Sequence, residues 1–359
     1  MNANNNVLVA MSGGVDSSAT ASLLLSQGYN CIGANMRLYE HHEPILNVKS
    51  CCSLSDADQA AAVCARLHIP FYVLNCKQEF GKEVIDRFIA EYLAGRTPNP
   101  CIDCNRHLKF SVLLEHAGKL DCQFLATGHY ARIRFNEDSS RFELLKGVDE
   151  TRDQSYVLYM LTQEQLSRTL FPLGELHKTD VRDKAKTAGL INADKPDSQD
   201  ICFVLGGDYA SFIEERTGTA SPPGDFIDEN GTVLGRHKGY IHYTIGQRKG
   251  LGISSTEPYF VTEIRPEDNT VVLGRKKDVM ADRLTATRFN WLSVACPENT
   301  PLRCKAKIRY RYLEADCTVH ATSNDCAEVI FDEPQSAITK GQAVVLYDGD
   351  RVLGGGTIS

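Results

Sequence analysis

Val7-Leu8-Val9-Ala10-Met11-Ser12-Gly13-Gly14-Val15-Asp16-Ser17-Ser18 is the stretch whose reading decides the fold. An apolar strand runs into a glycine turn, and a helix carrying Leu23, Leu24 and Leu25 follows. Glycine lets backbone N–H groups approach an anion closely, and a helix N-terminus directs positive potential at the same point. The expected anion is a phosphate. A Walker loop, GxxxxGK[ST], would place a lysine on it, and this loop has no lysine. An ordinary serine- and glycine-rich helix cap would read similarly; the position at the first strand, with Asp16 and Ser17 directly after the glycines, favours the phosphate reading.

Outward from the loop, Cys31–Met36 reads as a second strand, Asp56–Leu67 has helical spacing, and Phe71–Leu74 is a third strand. This βαβ alternation predicts a doubly wound parallel sheet, with Met36 at a strand end where such sheets bind nucleotides. Cys51-Cys52 makes a poor joint metal site and is read as structural. Phe124–Arg132 is read as a further strand ending in glycine, where Gly128 would let adenine or ribose approach the backbone and His129 follows at once. Arg152–Tyr159 is expected to open a helix with a polar tip.

Two cysteine segments stand out. In Thr97-Pro98-Asn99-Pro100-Cys101-Ile102-Asp103-Cys104, Asn99 suits an N-cap and Pro100 the first helical position, so Cys101 and Cys104 fall one turn apart at a helix N-terminus. That placement lowers thiol pKa, and Arg106, His107 and Lys109 add positive charge, so Cys104 is a reasonable thiolate nucleophile. A CxxC also fits a redox pair or half a zinc site, but no second CxxC completes one. In Lys195–Phe203, Cys202 lies between apolar neighbours; alone it reads as a buried small hydrophobe, and with Cys104 as the second thiol of a pair.

From Ser221 onward short strands and glycine turns predict a small β-rich unit with a hairpin at Thr262–Leu273, and after Met280 a second one that Gly341–Tyr347 and Val352–Gly356 close as a barrel. Arg303–Tyr312 alternates basic and apolar residues. As one strand it would align Arg303, Lys305, Lys307, Arg309 and Arg311 about 6.6 Å apart, near the spacing of RNA phosphates.

The 359 residues predict two or three domains, and 42% hydrophobic with 24% charged residues is a soluble globular composition. A net charge of −7 argues against indiscriminate nucleic-acid binding while leaving room for a local basic surface. Thirteen scattered cysteines fit a reducing compartment. With no signal peptide or membrane-spanning run at sequence level, a cytoplasmic protein is expected. There is no internal repeat or low-complexity tract.

The SGGVDS loop resembles that of the ATP pyrophosphatase (PP-loop) family, which adenylates substrates by cleaving ATP between the α- and β-phosphates. Together with TPNPCIDCN, TGHYAR, RDQSYVLY, PDSQDICF and GYIHYTIGQRKGLG, in order and spacing, the chain from Val7 to Ile358 resembles the tRNA-specific 2-thiouridylases (MnmA/TrmU family). The resemblance implies a PP-loop catalytic domain over 1–205, a small β-rich central domain over 206–280 and a tRNA-binding β-barrel over 281–359. It implies ATP- and Mg2+-dependent 2-thiolation of wobble uridine 34, with Cys202 carrying a persulfide, Cys104 as nucleophile, and a transient Cys104–Cys202 disulfide. By the same motif matching, Ala10, Met11, Ser12, Gly13, Gly14, Val15, Asp16, Ser17, Met36 and Gly128 would bind ATP. Asn99, Pro100 and Cys101 would touch the target base, and His129, Arg152, Asp153, Gln154, Arg309, Tyr310 and Gln342 the tRNA. The implied partners are tRNA acceptors for Lys, Glu and Gln, and a persulfide donor such as a cysteine desulfurase or a sulfur-relay protein.

One position departs from part of the family: Cys101 stands where some relatives have an aspartate. Cys101, Cys104 and Cys202 would together offer three thiolates to an iron–sulfur cluster, an alternative to the persulfide route, which is preferred because the family pattern tolerates the aspartate. No other metal site is expected. The rival readings are another adenylating PP-loop enzyme, such as a lysidine or argininosuccinate synthetase, and a tRNA-binding module that kept the loop without catalysis.

Overall fold

The computed structural model describes residues 5–39, 54–196, 201–297 and 300–359. Cys51-Cys52 and the Asp197–Asp200 part of the second cysteine segment lie outside the described residues.

The first sheet is parallel and five-stranded. It holds β1 (Asn6–Ala10), β2 (Asn30–Arg37), β3 (Phe71–Asn75), β4 (Phe124–Ala126) and, later in the chain, Thr169–Leu170, in the order β3-β2-β1-β4 with Thr169–Leu170 beside β4. Val7, Leu8 and Val9 are fully buried, as the unbroken apolar run requires of a central strand covered on both faces. The chain leaves β1 through helix α1 (Val15–Ser26) and β2 through helix α2 (Leu54–Arg66). The strand order reverses between β1 and β4, so their C-terminal ends open a crevice, the usual ligand position of such sheets.

Phe124–Arg132 is not one strand. β4 stops at Ala126, the chain crosses over the crevice, and Ala131 opens a hairpin of β5 (Ala131–Asn136) and β6 (Arg141–Lys146) that belongs to a different sheet. Arg152–Tyr159 differs too. It forms only a short 3-10 turn at Ser155–Val157, because Tyr156 and Leu158 are wholly buried and the Tyr156 hydroxyl donates to Ala343 O at 2.8 Å; these side chains are core anchors.

Beyond β7 (Thr169–Leu170), a central mixed sheet contains β8 (Gly224–Ile227), β9 (Val233–His237), β10 (Phe260–Arg265) and β11 (Thr270–Gly274) in the order β10-β11-β8-β9. The expected hairpin is β10–β11. The last sheet holds β12 (Met280–Trp291), β13 (Leu302–Lys307), β14 (Ala315–Ser323), β15 (Cys326–Ser336), β16 (Ala343–Asp348) and β17 (Arg351–Ile358). Pairing of β12 with β17 closes these six into an antiparallel barrel. The β5–β6 hairpin extends the barrel sheet through β17, so the N-terminal half of the chain is stitched into its C-terminal end.

The uninterrupted basic strand is corrected. β13 ends at Lys307, and the chain turns at Ile308–Tyr312. Acids that the alternating pattern could not show lie on other strands of the sheet: Arg303 is ion-paired with Asp332 of β15, and Lys305 lies opposite Asp316 of β14. Arg309 points inward, its guanidinium donating to Ile245 O (3.1 Å), Ala337 O (3.0 Å) and Thr339 Oγ1 (2.5 Å).

Candidate active site

The glycine loop sits on the C-terminal end of β1. Met11 N–H donates to Ala34 O (2.8 Å), Asn35 Nδ2 donates to Met11 O (2.7 Å), and the Ser17 hydroxyl takes the Ser12 N–H (3.2 Å). Gly13 has φ +74° and lies so close to Asp56 that a Cβ would meet Asp56 O at 2.4 Å, so only glycine fits this turn. Gly14 caps α1 without any side-chain hydrogen bond, leaving the first helical N–H groups for a bound anion.

Four residues from distant parts of the chain brace this loop. Lys178 Nζ lies 2.8 Å from both Asp16 carboxylate oxygens, and the Tyr130 hydroxyl donates to Asp16 Oδ1 at 2.9 Å. Asn192 Nδ2 donates to Gly13 O (3.0 Å) and Ser18 Oγ (2.9 Å). Lys195 Nζ reaches Gly13 O (3.3 Å), Gln59 Oε1 (2.7 Å) and the Asp56 carboxylate. Sequence reasoning missed Lys178, Asn192 and Lys195. One signal was present for Lys178: it opens the helix Lys178–Thr187, where a cation opposes the helix dipole and needs an acidic partner.

Gly128 lines the cavity and also has a packing role. A Cβ there would lie 3.0 Å from the Asp16 carbonyl carbon and Cβ and 3.1 Å from Ser17 N, so its bareness lets the Thr127–His129 crossover pack on the start of α1. His129 is buried, with Nδ1 2.7 Å from Thr127 Oγ1 and its ring against Phe110 and Phe171. Burial, then the charge of Lys109, push its pKa well below the ordinary value, so the imidazole is neutral.

The Asn99 side chain accepts the Cys101 N–H (3.1 Å), and Pro100 is the first residue of the helix, as the spacing predicts. The helix runs on through π-type turns at Cys104–Val112, leaving Cys101 exposed and Cys104 half-buried. His107 does not add the expected charge: it contacts Arg87 (3.1 Å), and burial and that cation push its pKa down. Cys202 is held by its own backbone and its neighbour: the Tyr39 hydroxyl donates to Cys202 O (2.7 Å), and Phe203 packs edge-on against Phe80 and Phe88. Cys104 and Cys202 are thiols here, not a disulfide.

A cavity of about 330 Å3 joins these parts. From the loop side it is lined by Ala10, Met11, Ser12, Asp16, Ser17, Met36 and Gly128; from the cysteine side by Pro100, Cys101, Cys104 and Cys202; His129, Gln154 and Lys109 also line it, with apolar side chains such as Phe80 and Phe203. Gly13, Gly14, Val15 and Asn99 do not line it; Asn99 instead faces a second pocket, with Asp103, Tyr159 and Gly341. Among the described residues, no three His, Cys, Asp or Glu side chains are gathered as a metal site, so Cys101, Cys104 and Cys202 do not converge on one point in this arrangement.

The remaining expected tRNA contacts lie where the barrel meets the catalytic domain. Asp153 accepts Gly147 N–H (3.1 Å), Ser155 N–H (3.1 Å) and the Ser155 hydroxyl (2.8 Å), and burial raises its pKa. The Tyr310 hydroxyl donates to Asp153 O (3.0 Å); burial, then Asp153 and Cys101, push that hydroxyl up. Gln342 Nε2 donates to Thr97 O (2.8 Å), and Thr97 N–H to Lys340 O (2.9 Å), so a barrel loop holds the approach to Asn99-Pro100-Cys101. Arg152 is half-buried beside them.

Residues 5–206 match the family described as "tRNA methyl transferase HUP domain", residues 210–275 the "tRNA methyl transferase PRC-barrel domain", and residues 281–358 the "Aminomethyltransferase beta-barrel domain". The chain is 50% identical to the tRNA-specific 2-thiouridylase MnmA of Carboxydothermus hydrogenoformans, covering 98% of this chain and 97% of that protein. It is 51% identical to the protein of that name from Acetivibrio thermocellus (98% of each) and 48% identical to that from Clostridioides difficile (99% and 98%).

Proposed function

The chain belongs to the tRNA-specific 2-thiouridylase (MnmA) family, and on that premise we propose which residues carry each step of its reaction. The enzyme 2-thiolates the wobble uridine of tRNA. The observation that carries the assignment is the single cavity lined by both the phosphate loop and the three cysteines.

ATP lies with its phosphates on the backbone of Ser12–Gly14 and the open N-terminus of α1, beside Met36 and Gly128. The flipped uridine enters along Asn99, Pro100 and Cys101, and its C2 oxygen attacks the α-phosphorus, expelling diphosphate. Asp16, Tyr130 and Lys178 keep the loop in shape for that step. Cys202 arrives as a persulfide, loaded by a persulfide-carrying donor protein. The Cys104 thiolate attacks Cys202 Sγ, the S–S bond breaks, and hydrosulfide leaves. It adds to C2 and expels AMP, giving 2-thiouridine and a Cys104–Cys202 disulfide. A thiol reductant must supply two electrons to reset the pair, which fits a reducing cytoplasm.

Magnesium would enter on the ATP phosphates, since the loop carboxylate of Asp16 is already paired with Lys178. A cluster on Cys101, Cys104 and Cys202 does not fit the arrangement of the donors, so no step is routed through one. His129, Arg152, Asp153, Gln154, Tyr310 and Gln342 are proposed to meet the tRNA, and Arg309 to position the turn that carries Tyr310, with Lys, Glu and Gln acceptors as substrates.

Incubation of tRNA with the protein, ATP, magnesium and a persulfide source, followed by nucleoside mass spectrometry, tests the reading. The wild type forms 2-thiouridine, whereas Cys104→Ser and Cys202→Ser release diphosphate in the presence of tRNA without forming it. Full thiolation by either variant contradicts the assignment.

A further inference from the structure

The GYIHYTIGQRKGLG motif has no role in the steps above, yet part of it is built as a rigid, positively charged loop. Gly246 N–H donates to Val261 O (2.8 Å), and Val261 N–H to Gln247 O (3.0 Å), which ties the loop to the central sheet. The Gln247 side chain braces the turn, accepting Thr244 N–H (3.1 Å) and donating to Lys249 O (3.0 Å). At the tip stand Arg248 and Lys249, both exposed, and neither side chain makes an ion pair or hydrogen bond among the described residues. In a chain of net charge −7, two such cations on a braced turn are unlike the paired Arg303 and Arg351 of the barrel.

The loop is also fastened to the barrel. Gly246, at φ +83°, lies against Ala337 so tightly that a Cβ would come within 2.4 Å of the Ala337 Cβ. Arg309 clamps the same junction, joining Ile245 O to Ala337 O and Thr339 Oγ1. Tyr310 follows Arg309 directly, and Arg311 beyond it is exposed. Ile245 and Gly246, three and two residues before Arg248, are therefore fixed beside the turn that carries Tyr310 and Arg311.

We propose that Gly246–Gly250 is a phosphate-binding element of the tRNA surface, with Arg248 and Lys249 contacting backbone phosphates and Arg309 acting as the strut that sets their position. The inference rests on tRNA being the substrate. Each phosphate neutralised releases counterions, so these contacts must appear in the salt dependence of binding.

The test is the Kd for unmodified tRNA, measured at several potassium chloride concentrations, for wild type, Arg248→Ala/Lys249→Ala and Gly246→Ala. Thermal midpoints serve as a check on folding. The double variant should bind about tenfold more weakly near 0.1 M salt, with the log–log salt slope reduced by about 1.5 and the KM for ATP unchanged. Gly246→Ala keeps every charge but displaces the loop from Ala337, and should weaken binding and lower the slope toward that of the double variant, because the displaced cations no longer neutralise their phosphates. Wild-type Kd and slope in the double variant would overturn the inference, and wild-type affinity in Gly246→Ala would overturn the requirement for a fixed loop. Failure of the wild type to bind tRNA at all would instead bring down the substrate reading and this inference with it.

Discussion

Lys178 reaches across 162 residues of chain to place its ammonium 2.8 Å from each carboxylate oxygen of Asp16, the acidic residue of the phosphate loop. A Walker loop carries its lysine within the loop; here the lysine comes from a distant helix and meets the protein's own carboxylate. The pair is largely out of water, with the lysine side chain 9% and the aspartate 29% exposed. Removing one partner therefore leaves a poorly solvated charge.

Lys178→Met should destabilise the protein by about 2 kcal/mol, below the cost of breaking a fully buried pair because Asp16 keeps some contact with water. Asp16→Asn/Lys178→Met should recover most of that stability without recovering diphosphate release. Chemical denaturation and a tRNA-dependent diphosphate assay check the two halves. Recovery of both together would make the pair purely structural.

Gly128→Ala should cost activity more than stability. The added methyl meets the backbone of Asp16 and Ser17, which can move only by displacing the start of α1. The KM for ATP should rise about tenfold or more while tRNA affinity stays within twofold; a displacement of this kind at a phosphate site costs on the order of 1.4 kcal/mol or more of binding. Steady-state kinetics with ATP varied, beside a tRNA binding isotherm, measure both.

His129 gives the protein part of its acid sensitivity. A free imidazole titrates near 6.5, and burial, then Lys109, hold this one well below that. Above about pH 6.5 the folded and unfolded chains are both neutral at this position, and it contributes nothing. As pH falls below that value the unfolded chain gains a proton that the folded chain refuses, and stability drops by up to about 1.4 kcal/mol per pH unit. His129→Gln should therefore reduce the stability difference between pH 7 and pH 5 by about 2 kcal/mol, measured by urea unfolding at each pH. An undiminished difference would show that His129 is not the group responsible.

What could be read in the sequence and what could not divide along physical lines. The β1 turn, the Asn99 cap with Pro100, and the one-turn spacing of Cys101 and Cys104 are local, governed by residues a few positions apart, and the structure has them as read. The braces from Lys178, Asn192 and Lys195 depend on contacts across more than a hundred residues, and local pattern is blind to them. Arg303–Tyr312 misled because alternation along one strand says nothing of Asp316 on β14 and Asp332 on β15, or of the carbonyls waiting for Arg309. Arg152–Tyr159 misled because its aromatic residues serve the barrel junction, where Tyr156 anchors to Ala343.

The central claim is that Cys104 and Cys202 exchange sulfur inside the ATP cavity, and a single-turnover experiment tests it most directly. The enzyme, loaded with persulfide on Cys202, is mixed with ATP, magnesium and tRNA without reductant, quenched with an alkylating agent, digested and analysed by mass spectrometry beside the nucleosides. The account predicts one Cys104–Cys202 linked peptide for each 2-thiouridine formed, and neither in the absence of ATP. Stoichiometric 2-thiouridine with both cysteines recovered alkylated and unlinked would contradict it.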